Sequence, residues 1–240
     1  MNNQLIILGD THGDHAHVAE LARTHRPAAM IHVGDFDLET PFRQAFAEVL
    51  AICPLYFVAG NHDFDNEAYY DHLYQDTAEL NLHGRVVEIA GKRVAGLAGN
   101  FQAKTWYPPD RPAKAQSRRE FLHIMGKGNW WRGGLPLKRR GAIWPAEYDA
   151  LAAKRADVLV THEAPGCHRY GFDVLTDLAH AMGASTHYHG HLHVHYADGP
   201  DDRGLTVRGV ALGAAINEAG EVLHWHRQRS AVLDESMRRR

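Results

Sequence analysis

Five times in this chain a short apolar run ends abruptly in a cluster of polar residues. "LIIL" runs into "GDTHGD", "MIHV" into "GDFD", "YFVA" into "GNHD", "VLVT" into "HEAP" and "THYH" into "GHLH". Segments with helical patterning, 16–25 and 41–52, separate the first three runs. Strands alternating with helices are the signature of β-α-β units and a largely parallel sheet, so the predicted class is α/β. In such sheets functional groups gather in the loops at the carboxyl ends of strands. One fold constraint therefore also predicts one site, fed by five strand ends with carboxylates, an amide and histidines.

The remaining pattern is more strand-rich. Residues 84–99 read as strands with a hairpin around Gly91, followed later by a helix over 146–155, a strand over 157–161 and a helix over 174–182. Two further strands are expected at 205–212 and 221–227, and no internal repeat is present. A chain of 240 residues can bury one sizeable core, so 1–240 is read as a single domain. The apolar opening is four residues long before Gly9 and Asp10 and has no basic flank, which reads as a strand rather than a signal peptide. No apolar run approaches a membrane span, and the expectation is a cytoplasmic protein with no membrane partner. Cys53 and Cys167 lack metal-type spacing, so any bound metal is held by nitrogen and oxygen.

The run "THYHGHLHVHY" places His187, His189, His191, His193 and His195 at every second position. On an extended strand these would share one face. Histidine tracts that bind metal by composition alone sit in polar surroundings. Here Gly190 breaks the run, and Tyr188, Leu192 and Val194 occupy the other phase, as in a strand entering and leaving a tight turn. His187, His189 and His195 are read as ordinary packed histidines, and His32, inside an apolar strand, likewise.

Taken in order, Asp-x-His at 10–12, Gly-Asp at 34–35, Gly-Asn-His-Asp at 60–63, the lone His162 and Gly-His-x-His at 190–193 resemble the pattern of the calcineurin-like metallophosphoesterase family. The resemblance implies a β-sandwich of two mixed sheets flanked by helices. It implies that Asp10, His12 and His193 hold one metal, that Asn61, His162 and His191 hold the other, and that Asp35 bridges them. A hydroxide between the ions would attack phosphorus in line, His62 would protonate the leaving oxygen, and Asp63 would orient His62. Two divalent ions both generate a nucleophile at neutral pH and neutralise phosphoryl charge. Mixed imidazole and carboxylate ligands suit Mn or Fe, with Zn or Ni as further candidates. Asp14 and Asp37 are read as capping or hydrogen-bonding residues rather than ligands. The second motif reads "GDFDLET", without the Asp-Arg that protein phosphatases of this superfamily carry, so the pattern is closer to bacterial phosphodiesterases and small phosphatases.

Residues 101–144 stand apart. They hold ten Lys or Arg against Asp110 and Glu120, a local charge of +8 in a chain of net −3, and four of the five tryptophans: Trp106, Trp130, Trp131 and Trp144. Gly and Pro clusters predict mostly loop. The segment reads either as a lid whose aromatic and cationic side chains grip a nucleotide or single-stranded nucleic acid, or as an insertion whose tryptophans fill a satellite core. Arg132, Arg139 and Arg140 are the candidate phosphate contacts. Three functions stay open at this point: a phosphoesterase for a small or nucleotide-like anion, a nuclease, or a non-catalytic binding module on the same fold. The sequence sets no oligomeric state.

Overall fold

The computed structural model describes residues 4–226, 230–233 and 237–238. Two mixed sheets stack face to face. The first is built on β1 (Leu5–Leu8), β2 (Ala29–His32) and β3 (Leu55–Phe57), all parallel, with β10 (Ala215–Asn217) and β11 (Val222–His224) added antiparallel beyond β1. The second has a parallel centre of β5 (Lys92–Leu97), β6 (Val158–Thr161), β7 (Thr186–His189) and β9 (Thr206–Gly209). Around this centre, β4 (Val86–Ile89) pairs antiparallel with β5, β8 (Val194–Asp198) pairs antiparallel with β9, and β12 (Ala231–Val232) runs parallel to β8.

The strands read as unbroken apolar runs because both faces are covered. Strand β6 shows it residue by residue. Val158 and Val160 face the first sheet and share a core with Leu5, Ile7 and Met30. Leu159 points the other way, toward Leu151 of α7 (Pro145–Ala152) and Leu175, Leu178, Ala179 and Met182 of α8 (Asp173–Met182). The last four recur at i, i+3, i+4 and i+7, one face of a helix. On the outer side of the first sheet α1 (Ala16–His25) buries Val18, Leu21 and Ala22 in the same spacing. The sandwich with flanking helices is the expected one. Among the described residues no helix is long and apolar enough to cross a membrane.

Three expectations change. The helix foreseen over 41–52 is two short helices, α2 (Phe42–Ala45) and α3 (Ala47–Leu50), separated by Phe46 at φ −110° and ψ 24°. Phe46 packs there against Phe36 and Phe42, and the aromatic cluster takes precedence over helix continuity. Helix α4 (Glu67–Tyr74), capped by the Asn66 side chain at Tyr69 N, was not foreseen. The strand expected over 221–227 is shorter, and Arg227 lies outside the described residues.

The basic segment contains more structure than loop signals suggested. Its ends are pinned together: Asn100 N donates to Gly141 O at 2.9 Å and Ile143 N to Asn100 O at 3.1 Å. Between them lie α5 (Arg118–Met125) and α6 (Leu137–Arg140). Ser117 accepts from Glu120 N, and the Glu120 carboxylate accepts from Gln116 N, so a Ser-x-x-Glu start nucleates α5. Trp144 is fully buried in a small core with Ala115, Leu135 and Ala142, against which Phe121, Leu122 and Met125 pack. Trp106 packs on Phe101 and Tyr148, and Trp131 donates to Glu67 and meets Tyr70 edge-on. Three of the four tryptophans thus pack within the segment or fasten it to the body of the fold.

Candidate metal centre

The five polar strand ends converge at one edge of the sandwich, and tight backbone packing brings them there. A Cβ at Gly60 would lie 2.1 Å from Asp35 Oδ1, and one at Gly190 would lie 2.1 Å from Asp10 Oδ1. Glycine at these positions lets a carboxylate pass directly over the main chain. The neighbouring residues absorb the sharp turns, with left-handed φ at His12 (44°), Asp35 (56°), Asp37 (55°), His191 (66°) and His193 (59°). Such φ values are costly for residues with a Cβ and cluster at functional sites.

Two groups of ligand atoms form at this edge. In the first, His193 Nε2 lies 3.2 Å from Asp10 Oδ2 and 3.3 Å from His12 Nε2. In the second, His162 Nε2 lies 3.0 Å from Asn61 Oδ1 and 3.1 Å from His191 Nδ1. Asp35 Oδ2 stands between them, 3.7 Å from His12 Nε2 and 3.3 Å from His162 Nε2. Asp10, His12, Asp35 and His193 are one set able to hold a cation; Asp35, His162 and His191 are another. All seven residues named from the sequence as ligands meet here.

The lone pairs are aimed by outer partners. His162 Nδ1 donates to Val33 O at 2.9 Å, which fixes the ring and turns Nε2 toward the cluster. His12 Nδ1 lies 2.9 Å from Asp37 Oδ2, and this hydrogen bond, the largest influence on the ring, raises its pKa. Burial disfavours charge on both Asp35 and His162, but their mutual attraction wins: Asp35 is held low and His162 is pushed up to about 10. Burial, then the neighbouring His162, lowers His191 to about 3. The cluster as a whole therefore stabilises positive charge at its centre.

These features fit a pair of metal ions. Asp10 Oδ1 is buried with no hydrogen-bond partner among the described residues. Imidazole nitrogens facing each other at 3.1 and 3.3 Å suit ligands of a common ion at about 2.0–2.1 Å from each nitrogen. The donors are nitrogen and oxygen only, because Cys53 and Cys167 lie elsewhere and are free thiols. A family model described as calcineurin-like phosphoesterase matches residues 4–195. The chain belongs to this family.

The chain is also similar to other proteins in sequence or in fold. An uncharacterised protein of Haemophilus influenzae is 35% identical over 193 residues, covering 80% of this chain and 84% of its own. A dimetal phosphatase from Danio rerio superposes with TM-score 0.55 at 13% identity, over 88% of this chain and 91% of that one. A Thermus thermophilus structure superposes with TM-score 0.54 at 13% identity, over 92% and 97%. At such identities the two structures speak for the fold.

Several sequence expectations need correction. Asp63 does not touch His62. Its carboxylate is buried and accepts from Asp35 N at 3.0 Å, Phe36 N at 2.8 Å and Gly60 N at 2.8 Å, tying the second motif to the third. The partner of His62 is Asp65, with Nδ1 and Oδ2 3.0 Å apart. Residues 62–64 form a 3₁₀ turn, in which side chains at i and i+3 eclipse, so Asp65 falls beside His62 while Asp63 points inward. The His-x-x-Asp spacing was the available signal.

Arg132 and Arg140 do not face the centre. Arg132 pairs with Asp71 and Glu67 of α4, and Arg140 lies over the Tyr70 and Trp131 rings while bonding Leu135 O at 3.2 Å. Arg139 does stand near it, in a cleft with Asn61 and Asp65. The packed histidines behave as expected: His32 meets Thr11 Oγ1 at 3.0 Å, His187 meets Thr161 Oγ1 at 2.7 Å and His189 meets Tyr196 OH at 2.6 Å. One buried acid was missed. Glu163 Oε1 accepts from Phe101 N at 3.1 Å and Oε2 lies 3.8 Å from His191 Nε2. Nothing in its spacing marked it.

Proposed function

We propose that the protein is a dinuclear-metal-dependent phosphoester hydrolase acting on a small or nucleotide-like anion. The observation that carries this reading is the position of Asp35 Oδ2 between His12 and His162, one carboxylate oxygen shared by two nitrogen-rich clusters. When bound, two divalent ions, Mn or Fe by the donor chemistry, supply an activated water and neutralise the phosphoryl oxygens.

The side chains divide the remaining work. Asp10, His12 and His193 would hold one ion, Asn61, His162 and His191 the other, and Asp35 would contribute to both. His62 is edge-on to His12 with ring centroids 4.8 Å apart and is half exposed, so it borders the cluster without being enclosed by it. That position suits donation of a proton to the leaving oxygen, with Asp65 holding Nδ1 and directing Nε2 outward. Asp63 fixes the loop that presents His62.

The nuclease reading loses support, since Trp106, Trp131 and Trp144 are committed to packing, which leaves Trp130 as the exposed ring of the four rather than a stacking platform. The test is hydrolysis of p-nitrophenyl phosphate and bis-p-nitrophenyl phosphate by protein stripped with chelator and reloaded with Mn²⁺. Chelator-sensitive turnover supports the reading, and a preference for monoester or diester names the substrate type. Two bound ions without turnover of either would favour a binding role.

A further inference from the structure

A cleft of about 200 Å³ opens off the metal centre, lined by Asn61, Asp65, Asn100, Gln102, Lys138 and Arg139. Two of these residues belong also to the centre: Asn61 through its contact with His162, and Asp65 through its contact with His62. The cleft therefore lies on the side where, on the hydrolytic reading above, the leaving group departs.

The lining is informative by what it contains. There is no large apolar side chain, only amides, one carboxylate and two cations. Lys138 Nζ is 3.2 Å from Asp65 Oδ1. Arg139 donates to the Gln102 side-chain oxygen, and among the described residues no carboxylate pairs with it. Burial lowers the pKa of this guanidinium. The other two arginines singled out in the segment, Arg132 and Arg140, are occupied by carboxylates or rings. A partly desolvated guanidinium without a counter-charge is a costly arrangement that an anion would relieve.

The site is also held rigid. Gln102 Nε2 donates to Asn100 Oδ1 and to Lys138 O, both at 2.9 Å, and the Asn100 main chain is pinned to Gly141 and Ile143. Donors fixed in place bind an anion without the entropy cost of ordering them.

We propose that this cleft binds a second phosphate carried on the leaving portion of the substrate, so that the preferred substrates are bisphosphate esters rather than simple monophosphates. This rests on the hydrolytic reading above. Arg139 supplies a fork-shaped donor suited to phosphate and the one uncompensated positive charge of the lining, since Lys138 is balanced by Asp65.

The experiment uses full-length, Mn²⁺-reloaded protein and compares kcat/KM for propyl phosphate with a series of short alkanediol bisphosphates, with p-nitrophenyl phosphate as the activity control. At least one bisphosphate should be preferred by about tenfold or more, the worth of a charge-assisted contact, after correction for its two equivalent ends. Arg139→Gln should bring the ratio near unity, and Arg139→Lys should restore part of it. A ratio near unity across the series in the parent protein, with p-nitrophenyl phosphate turned over, would overturn the cleft assignment and leave the hydrolytic reading intact. So would a preference that survives in Arg139→Gln. If no ester is hydrolysed, the hydrolytic reading fails, and calorimetric titration decides the cleft: equal affinity for propyl phosphate and the bisphosphates would overturn it.

Discussion

The Asp65 carboxylate lies 3.0 Å from Nδ1 of His62, while Asp63, its neighbour in the third motif, faces the opposite direction into three backbone N–H groups. Two acids that look interchangeable in sequence therefore have separate duties. Replacing Asp65 with Asn should lower kcat by about tenfold, since it weakens the orientation of the proton donor, and should leave bound metal unchanged. Metal analysis beside steady-state kinetics checks this; metal loss equal to the loss of turnover would place Asp65 among the ligands.

Asp63→Ala should act on stability instead. It strips the acceptor from the amides of Asp35, Phe36 and Gly60 at a site where no solvent replaces it. Each buried donor left unpaired costs about 1–3 kcal/mol, so the unfolding midpoint in urea should fall substantially. An unchanged midpoint would mean that the loop is held by other contacts.

His62 and Asp35 should also separate. His62→Ala should retain metal while losing about two to four orders of magnitude in turnover. Asp35→Ala removes the oxygen shared by both clusters and should lose both metal and activity. The contrast is read by elemental analysis after gel filtration, and equal metal loss in the two variants would sink the division of roles.

Much of this was legible in the sequence, for a physical reason. Candidate ligands such as Asp10, Asp35 and Asn61 follow directly on apolar strands, and strand ends are among the best-defined positions in an α/β chain. Their glycines are required by close approach, so they too mark the motif. The misreadings concern directions, not positions. Nothing in "GNHDFD" says that residues 62–64 turn as a 3₁₀ helix, which decides that Asp65 and not Asp63 meets His62. Arg132 and Arg140 looked equivalent to Arg139, but α4, a helix not foreseen from sequence, supplies Asp71 and Glu67 to the first and Tyr70 to the second. The fold of the basic segment was hidden behind its Gly and Pro content, although Ser117 and Glu120 carried the helix start in plain view.

The assignment of Arg132 as a tether rather than a phosphate contact predicts that Arg132→Ala leaves KM for small phosphoesters unchanged. Its exposed pairs with Asp71 and Glu67 should contribute little to the unfolding midpoint. A raised KM would return this residue to the site.

His187 makes a prediction about pH. Thr161 Oγ1 donates to Glu163 O, so His187 Nε2–H donates to Thr161, and His187 Nδ1 is buried without a partner among the described residues. Burial, then neighbouring His189, holds its pKa well below the ordinary 6.5. A histidine that protonates only when unfolded stabilises the fold fully above about pH 6.5, and that contribution drains away as pH falls. Below that pH the stability of His187→Gln should decline less steeply than that of the parent, by about 1.4 kcal/mol per pH unit. Parallel slopes in urea titrations at pH 7 and pH 5 would show that His187 accepts a proton in the fold.

On the proposed hydrolytic function, one site holds two ions and uses them on a phosphoester. The most direct test is titration of chelated protein with Mn²⁺, following p-nitrophenyl phosphate or bis-p-nitrophenyl phosphate hydrolysis and bound metal in the same samples. Turnover should rise with metal and saturate as the second ion per chain is bound. Turnover that is indifferent to chelation, or saturation of activity at a single ion, would contradict it.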